Sequence, residues 1–282
     1  MQNKVSTSEI RFFDRKSAIF LTSFAFLFAI TSSQNAVAAQ DHNSTRSNKS
    51  ISIEVDGELF DLTEYLRFTE VPNPGGKPST SQFELIAGPF GTSLFKVDVM
   101  GEMNPDPSIG YSIAITDFGA PSTFNFTFSQ AIVPVAGANE VYSTMAGGYT
   151  DNSGNGATVT PLAPGAGISV DSDGNTEIHV VNLSEDGGAT LVNMGHDLAG
   201  PGPYSISSGS GTIGPFTEGW VAGPVAVTAW DFMQTNVKFS LSGGGDSAAF
   251  TGYAEIRPVP VPAAFWLFGS AFGLFGIKRF KK

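Results

Sequence analysis

Asp171, Asp173, Asn175 and Glu177 stand at alternate positions of the run Asp-Ser-Asp-Gly-Asn-Thr-Glu. Hard oxygen donors at this spacing can wrap a Ca²⁺, which takes six to eight of them. An EF-hand loop needs its glycine at the sixth place, whereas Gly174 is fourth in this run, which argues against the helical motif. The same residues also read as a hairpin turn with Asp173-Gly174 as the reversing pair. Both readings stand, and they are compatible. Trp220 and Trp230 carry the second chemistry that side chains here could perform. An amphipathic indole can stack on a sugar ring in a binding cleft, or it can fill a core. Trp230 lies in the strand-like run Val225–Phe232, which favours the core.

Catalytic chemistry finds little support. The chain has three histidines, His42, His179 and His196, so acid–base or metal work through imidazole has few candidates. His196 and Asp197 are adjacent, but triads are assembled in space, so adjacency means little. No Gly-x-Ser-x-Gly elbow and no His-Glu-x-x-His run occurs. Paired carboxylates for glycoside hydrolysis are available in so acidic a chain, yet nothing singles out a pair.

The elements that must position these residues are strands. Phe95, Val97 and Val99 alternate with Lys96 and Asp98. Tyr111, Ile113 and Ile115 alternate with smaller or polar residues, as do Phe124, Phe126 and Phe128, and Val237, Phe239 and Leu241, while Phe83, Leu85 and Ala87 alternate with Gln82, Glu84 and Ile86. A period of two sends one set into a core and the other to water. Between the strands lie turn formers such as Pro72 to Gly76, Asn104 to Pro107, Glu185 to Gly188 and Gly243 to Asp246. Leu59 to Arg67 is the one stretch with helical spacing, one turn or two. Ile168–Val170, Glu177–Leu183 and Thr190–Asn193 read as a meander. The pattern, with 33 glycines and 17 prolines, predicts an all-β fold, an antiparallel β-sandwich. Gly147 to Gly167 is either a long loop or a boundary between two lobes; the absence of a charged or Ser-rich linker favours one domain.

Both ends differ from this middle. Lys4, Arg11, Arg15 and Lys16 precede an apolar run from Ala18 to Ile30, and Ala36-Val37-Ala38-Ala39 follows. That order predicts a secretion signal over residues 1–39, cut by signal peptidase. Residues 40–50 are polar and predict a flexible segment; 51–257 form the ectodomain. From Val259 to Ile277 there are 19 residues without an ionisable group. As a helix they would span roughly 28 Å, close to the hydrocarbon thickness of a bilayer. Lys278, Arg279, Lys281 and Lys282 then form a basic stop, which places that end on the cytoplasmic side. A single C-terminal transmembrane helix in a tail of residues 258–282 is the expectation. Gly269 and Gly273 have the spacing of close helix contact, a pattern that glycine-rich tails also meet by chance.

Val259, Pro260, Val261, Pro262, Ala263, Ala264, Trp266, Leu267, Phe268, Gly269 and Ser270 occur in this order. The stretch resembles the PEP-CTERM sorting tail of Gram-negative bacteria, in the subgroup that opens Val-Pro-x-Pro-Ala-Ala-x-Trp-Leu-Phe-Gly-Ser. Val261 stands where the name-giving glutamate would be. The resemblance covers the tail alone. It implies an exosortase as partner, cleavage near Pro260 and Pro262, and a place at the cell surface or in extracellular matrix, often beside polysaccharide. Val237 to Ser247 also resembles the closing hairpin common in such proteins.

Of the 26 acidic residues two lie in the leader, and of the 15 basic ones four lie in the leader and four in the tail. The exported part therefore sets 24 acids against seven bases, a net charge of −17. That balance repels nucleic acid and anionic lipid, so a nucleic-acid role is excluded. With no cysteine, disulfides, thiol chemistry and cysteine metal sites are excluded as well. The expectation is an exported, membrane-anchored surface protein with a structural or adhesive role and no catalytic site. The alternative is a carbohydrate-binding or carbohydrate-cleaving sandwich.

Overall fold

The computed structural model describes residues 49–162, 177–194, 198, 202–223 and 225–259. The leader, the sorting tail beyond Val259, and the expected strand at Ile168–Val170 lie outside them. The described chain is nearly all strand. In order these are β1 (Lys49–Val55), β2 (Glu58–Asp61), β3 (Leu66–Val71), β4 (Thr80–Leu85), β5 (Phe90–Gly91), β6 (Phe95–Asn104), β7 (Ser108–Asp117) and β8 (Ser122–Val135). They continue as β9 (Asn139–Asp151), β10 (Ala157–Pro161), β11 (His179–Ser184), β12 (Val192–Asn193), β13 (Tyr204–Ile206), β14 (Gly209–Ala222), β15 (Trp230–Leu241) and β16 (Asp246–Pro258).

Two antiparallel sheets result. The first runs β12-β11-β15-β8-β1-β2, with β10 joining β15 to β13; the second runs β14-β9-β16-β7-β6-β4-β3, with β5 on β6. The apolar sets picked out by alternation face inward, except that β4 ends at Leu85 and Ala87, expected to continue its inward face, is exposed. Phe124, Phe126 and Phe128 of β8 are fully buried, as are Val97, Ile113, Val237 and Phe239 to within 1%. The sheets meet face to face through their aromatic side chains. Tyr111 of the second sheet stacks on Phe128 of the first at 5.1 Å, Phe250 meets Phe239 at 4.8 Å, and Phe95 meets Phe124 edge-on at 6.3 Å. Each such buried ring contributes about 1.5–3 kcal/mol by leaving water.

From β7 to β10 and from β13 to β16, consecutive strands alternate between sheets. β7 lies in the second, β8 in the first, β9 in the second and β10 in the first; β13 to β16 repeat the alternation. The links are arches across the sandwich, and this corrects the closing hairpin. β15 and β16 follow each other in sequence but belong to opposite sheets. Gly243, Gly244 and Gly245, with φ of 76°, 71° and 99°, hold three successive residues in the left-handed region that side chains avoid. They carry the chain over the end of the core instead of folding it back on itself.

Other segments take definite form. Within Leu59 to Arg67, Thr63–Tyr65 form one 3-10 turn, and the flanking residues belong to β2 and β3. Lys49 and Ser50, assigned to the polar segment, already pair with Gln130 and Ser129. Of the Gly147 to Gly167 stretch, Gly147 to Asp151 continue β9 and Ala157–Pro161 form β10 in the first sheet, while residues 163–167 lie outside the described residues. Of the meander, β11 and β12 form the expected antiparallel pair.

Glycine has a second role that turn chemistry does not reveal. On the inward face of the second sheet, Tyr111 lies opposite Gly101 on one side and Gly252 on the other. Phe250 lies opposite Gly147, and Tyr149 opposite Gly211. A Cβ on Gly252 would come within 2.2 Å of the Tyr111 hydroxyl, and one on Gly211 within 2.5 Å of the Tyr149 ring. The rings cover the glycine backbone beside them, an arrangement that pins register between strands.

Candidate functional site

The outer face of the second sheet carries a row of aromatic side chains across β14, β9 and β16. Tyr142 of β9 lies 5.6 Å from the Trp220 ring and 6.3 Å from the Tyr253 ring. All three are half-buried. Trp220 reaches this face through a bulge. The ladder between β14 and β9 shifts between Glu218 and Val221, so an extra residue on β14 lies opposite Tyr142. Strict alternation would put Trp220 on the face shared by Glu218 and Ser143; the bulge turns it to the face of Tyr142.

Arg257 fixes the other side of the indole. Its guanidinium carbon sits 3.7 Å over the Trp220 ring. Its Nε and Nη2 donate to Glu140 Oε2 at 3.0 and 2.8 Å, and the two residues are direct cross-strand partners. The pair is part exposed, 46% and 26%, so as an ion pair it is worth about 1 kcal/mol or less. Its consequence is orientation: one indole face is taken by the cation and the ring plane is held. Further up β16, Tyr253 donates its hydroxyl proton to Glu255 Oε2 at 2.8 Å. Burial, together with the Glu255 and Glu102 carboxylates, pushes that phenol up to about 12. It stays neutral and acts as a donor throughout the physiological range.

Planar apolar rings flanked by fixed carboxylates and a guanidinium can do one kind of chemistry. Rings pack against the C–H faces of a ligand, and the charged groups exchange hydrogen bonds with hydroxyls. No nucleophile or sealed acid–base pair stands among these residues.

The other sequence candidates separate. Trp230 is 3% exposed and belongs to the core, so it presents no ring to a ligand. His179 is fully buried; its Nδ1 shares a hydrogen bond of 2.7 Å with the Tyr111 hydroxyl across the sandwich, and the rings stack at 5.6 Å. Burial pushes the Tyr111 phenol well above its ordinary range. Asp171, Asp173 and Asn175 lie outside the described residues, as do His42, His196, Asp197 and the signal-peptide segment. Glu177 is described: it is 5% exposed and bridges Leu162. Among the described residues no three His, Asp or Glu side chains are grouped to hold a metal, and no helix is long and apolar enough to cross a membrane. Of the sorting motif only Val259 is described, its amide donating to Ala138 O at 3.0 Å. Pro260, Val261, Pro262, Ala263, Ala264, Trp266, Leu267, Phe268, Gly269, Ser270, Lys278, Arg279, Lys281 and Lys282 lie outside.

Sequence reasoning passed over Tyr142, Tyr253, Glu140 and Arg257. Tyr253, Glu255 and Arg257 do recur at every second position, which marks one face of a strand. That Glu140 and Trp220 flank the same face depends on cross-strand register, which one strand does not carry.

No protein-family model matches the chain, and no curated protein does. Solved structures give matches, among them a chain of the "Structure of infectious bursal disease virus Gx strain", with a TM-score of 0.24 and 10% identity over 82% of this chain. The chain spans 59% of that chain's length. A likeness at this level carries no functional argument.

Proposed function

We propose that this chain is an exported, membrane-anchored surface protein with a structural or adhesive role, processed by an exosortase at its C-terminal tail. One observation carries the reading. The last described strand, β16, lies inside the second sheet between β9 and β7 and pairs with β9 as far as Pro258. The next residue, Val259, begins the apolar run that the basic stop ends. A tether entering at an interior strand is backed by ladder hydrogen bonds on both sides, so load on the anchor passes into the body of the sheet. Signal peptidase, exosortase and the membrane are the partners this reading requires, at the envelope of a Gram-negative cell.

The test is fractionation together with intact mass from a host that carries an exosortase. Neutralising Lys278, Arg279, Lys281 and Lys282 should release or misorient the chain, and Pro262→Ala should change the mature mass. Unchanged fractionation removes the anchor. Identical mass with and without exosortase removes processing.

The Trp220, Tyr142 and Tyr253 row favours a second reading in which the same protein contacts extracellular polysaccharide. Trp220→Ala should abolish retention on such a polysaccharide while thermal unfolding stays cooperative. Equal retention of the variant would leave the structural role alone.

A further inference from the structure

Both ends of the sandwich expose apolar residues. At the end where β16 finishes, Ala138 leads into Asn139, the first residue of β9. Ala138 O accepts the amide of Val259, and Asn139 O accepts the amide of Gly223 at 3.1 Å. The strand leading into the apolar run and the end of β14 therefore flank the same two residues. From Val221 to Trp230 there is no ionisable side chain. Val221 is 45%, Val225 66% and Val227 92% exposed. The segment is fixed from its other side as well. Glu185, after β11, accepts the backbone amides of Val227 and Thr228, the second at 3.2 Å. It is an apolar tip held between anchored ends.

We infer that this end of the sandwich rests on the bilayer, with Val221, Val225 and Val227 seated at the lipid headgroup and upper acyl level. The inference rests on the membrane anchoring proposed above. Exposed apolar residues alone would not choose the end, because Leu94 and Phe118, 61% and 47% exposed, stand at the opposite one. The exit point chooses it. No spacer separates Pro258 from the apolar run, so the tip is tethered within a few residues of hydrocarbon. Such a tether raises its effective concentration at the surface so far that weak insertion of a few valines suffices. A net charge of −17 on residues 40–257 favours zwitterionic over anionic headgroups.

The chain has no cysteine, so a single Val227→Cys in the full chain takes one environment-sensitive fluorophore. Leu94→Cys is the control. It lies near the start of the 13-residue strand β16, roughly 40 Å from the exit at about 3.3 Å per residue. Both proteins are reconstituted into phosphatidylcholine vesicles that carry some lipids spin-labelled near the headgroup. The expected result is a blue-shifted, lipid-quenched probe at position 227 and an unshifted, unquenched one at 94, independent of protein-to-lipid ratio. Probes that behave alike in protein that floats with the vesicles overturn the seating and leave the anchor standing. Failure of the chain to float overturns both. A shift at 227 that fades on dilution in lipid overturns the seating in favour of a second copy of the chain.

Discussion

At the scale of single residues, outward side chains differ in what they are worth. Trp220 makes a cation–π contact with Arg257 on an exposed sheet face, worth about 0.5–1 kcal/mol. Trp220→Ala should therefore lower the melting temperature only slightly, measured by calorimetry, while removing any ring-dependent binding. A large loss of stability would mean that the indole is a core residue. Asp186 gives a pH dependence with a definite sign. Its carboxylate accepts from the Ser184 hydroxyl and from the Thr190 amide, which lowers it to about 2. An unfolded aspartate takes up its proton near 3.9. The contribution of Asp186 is thus complete above that value and is lost as pH falls toward 2. Asp186→Asn should narrow the stability gap between pH 5 and pH 2 seen in denaturant titrations. An unchanged gap would remove Asp186 from the acid response.

At the scale of elements, paired glycines and rings set register in the second sheet. Gly252→Ala would push a methyl group into Tyr111, whose hydroxyl bonds His179 in the other sheet. Overpacking of this kind costs about 1–3 kcal/mol, and urea unfolding should show it. The Gly243–Gly245 arch makes a related case. Gly243→Ala meets both a positive φ of 76° and the Gly119 carbonyl at 2.6 Å. Left-handed backbone at alanine costs about 1–2 kcal/mol, so this variant should lose more than an alanine placed at Gly245, which has open space around it. Equal losses would mean that backbone conformation alone decides. The arch also explains the misread hairpin. Strand, glycine turn and strand look the same in sequence whether the turn closes a hairpin or crosses a core.

At the scale of the whole molecule, charge and tethering dominate. With 24 acids against seven bases, residues 40–257 carry a net charge of −17, whose self-repulsion is greater in the compact state than in the unfolded chain. Adding salt shortens the Debye length from about 30 Å at 0.01 M to about 8 Å at 0.15 M. The melting temperature should rise over that range; a flat profile would mean that local ion pairs such as Arg257–Glu140 already offset the repulsion. Much at this scale was readable in one dimension. Alternation such as Phe124, Phe126 and Phe128 reports burial directly, because a strand has only two faces. Hydropathy likewise marks the two flanking segments, since solvent preference is a property of composition. Pairing is different. That Trp220 shares a face with Tyr142, that Glu140 meets Arg257, that glycines shelter Tyr111, and that the valine tip and Val259 leave the same end of the sandwich on either side of β9 are all outcomes of register and of one bulge. Hydrogen bonds between strands far apart in the chain set that register, and no local run of residues encodes their partners.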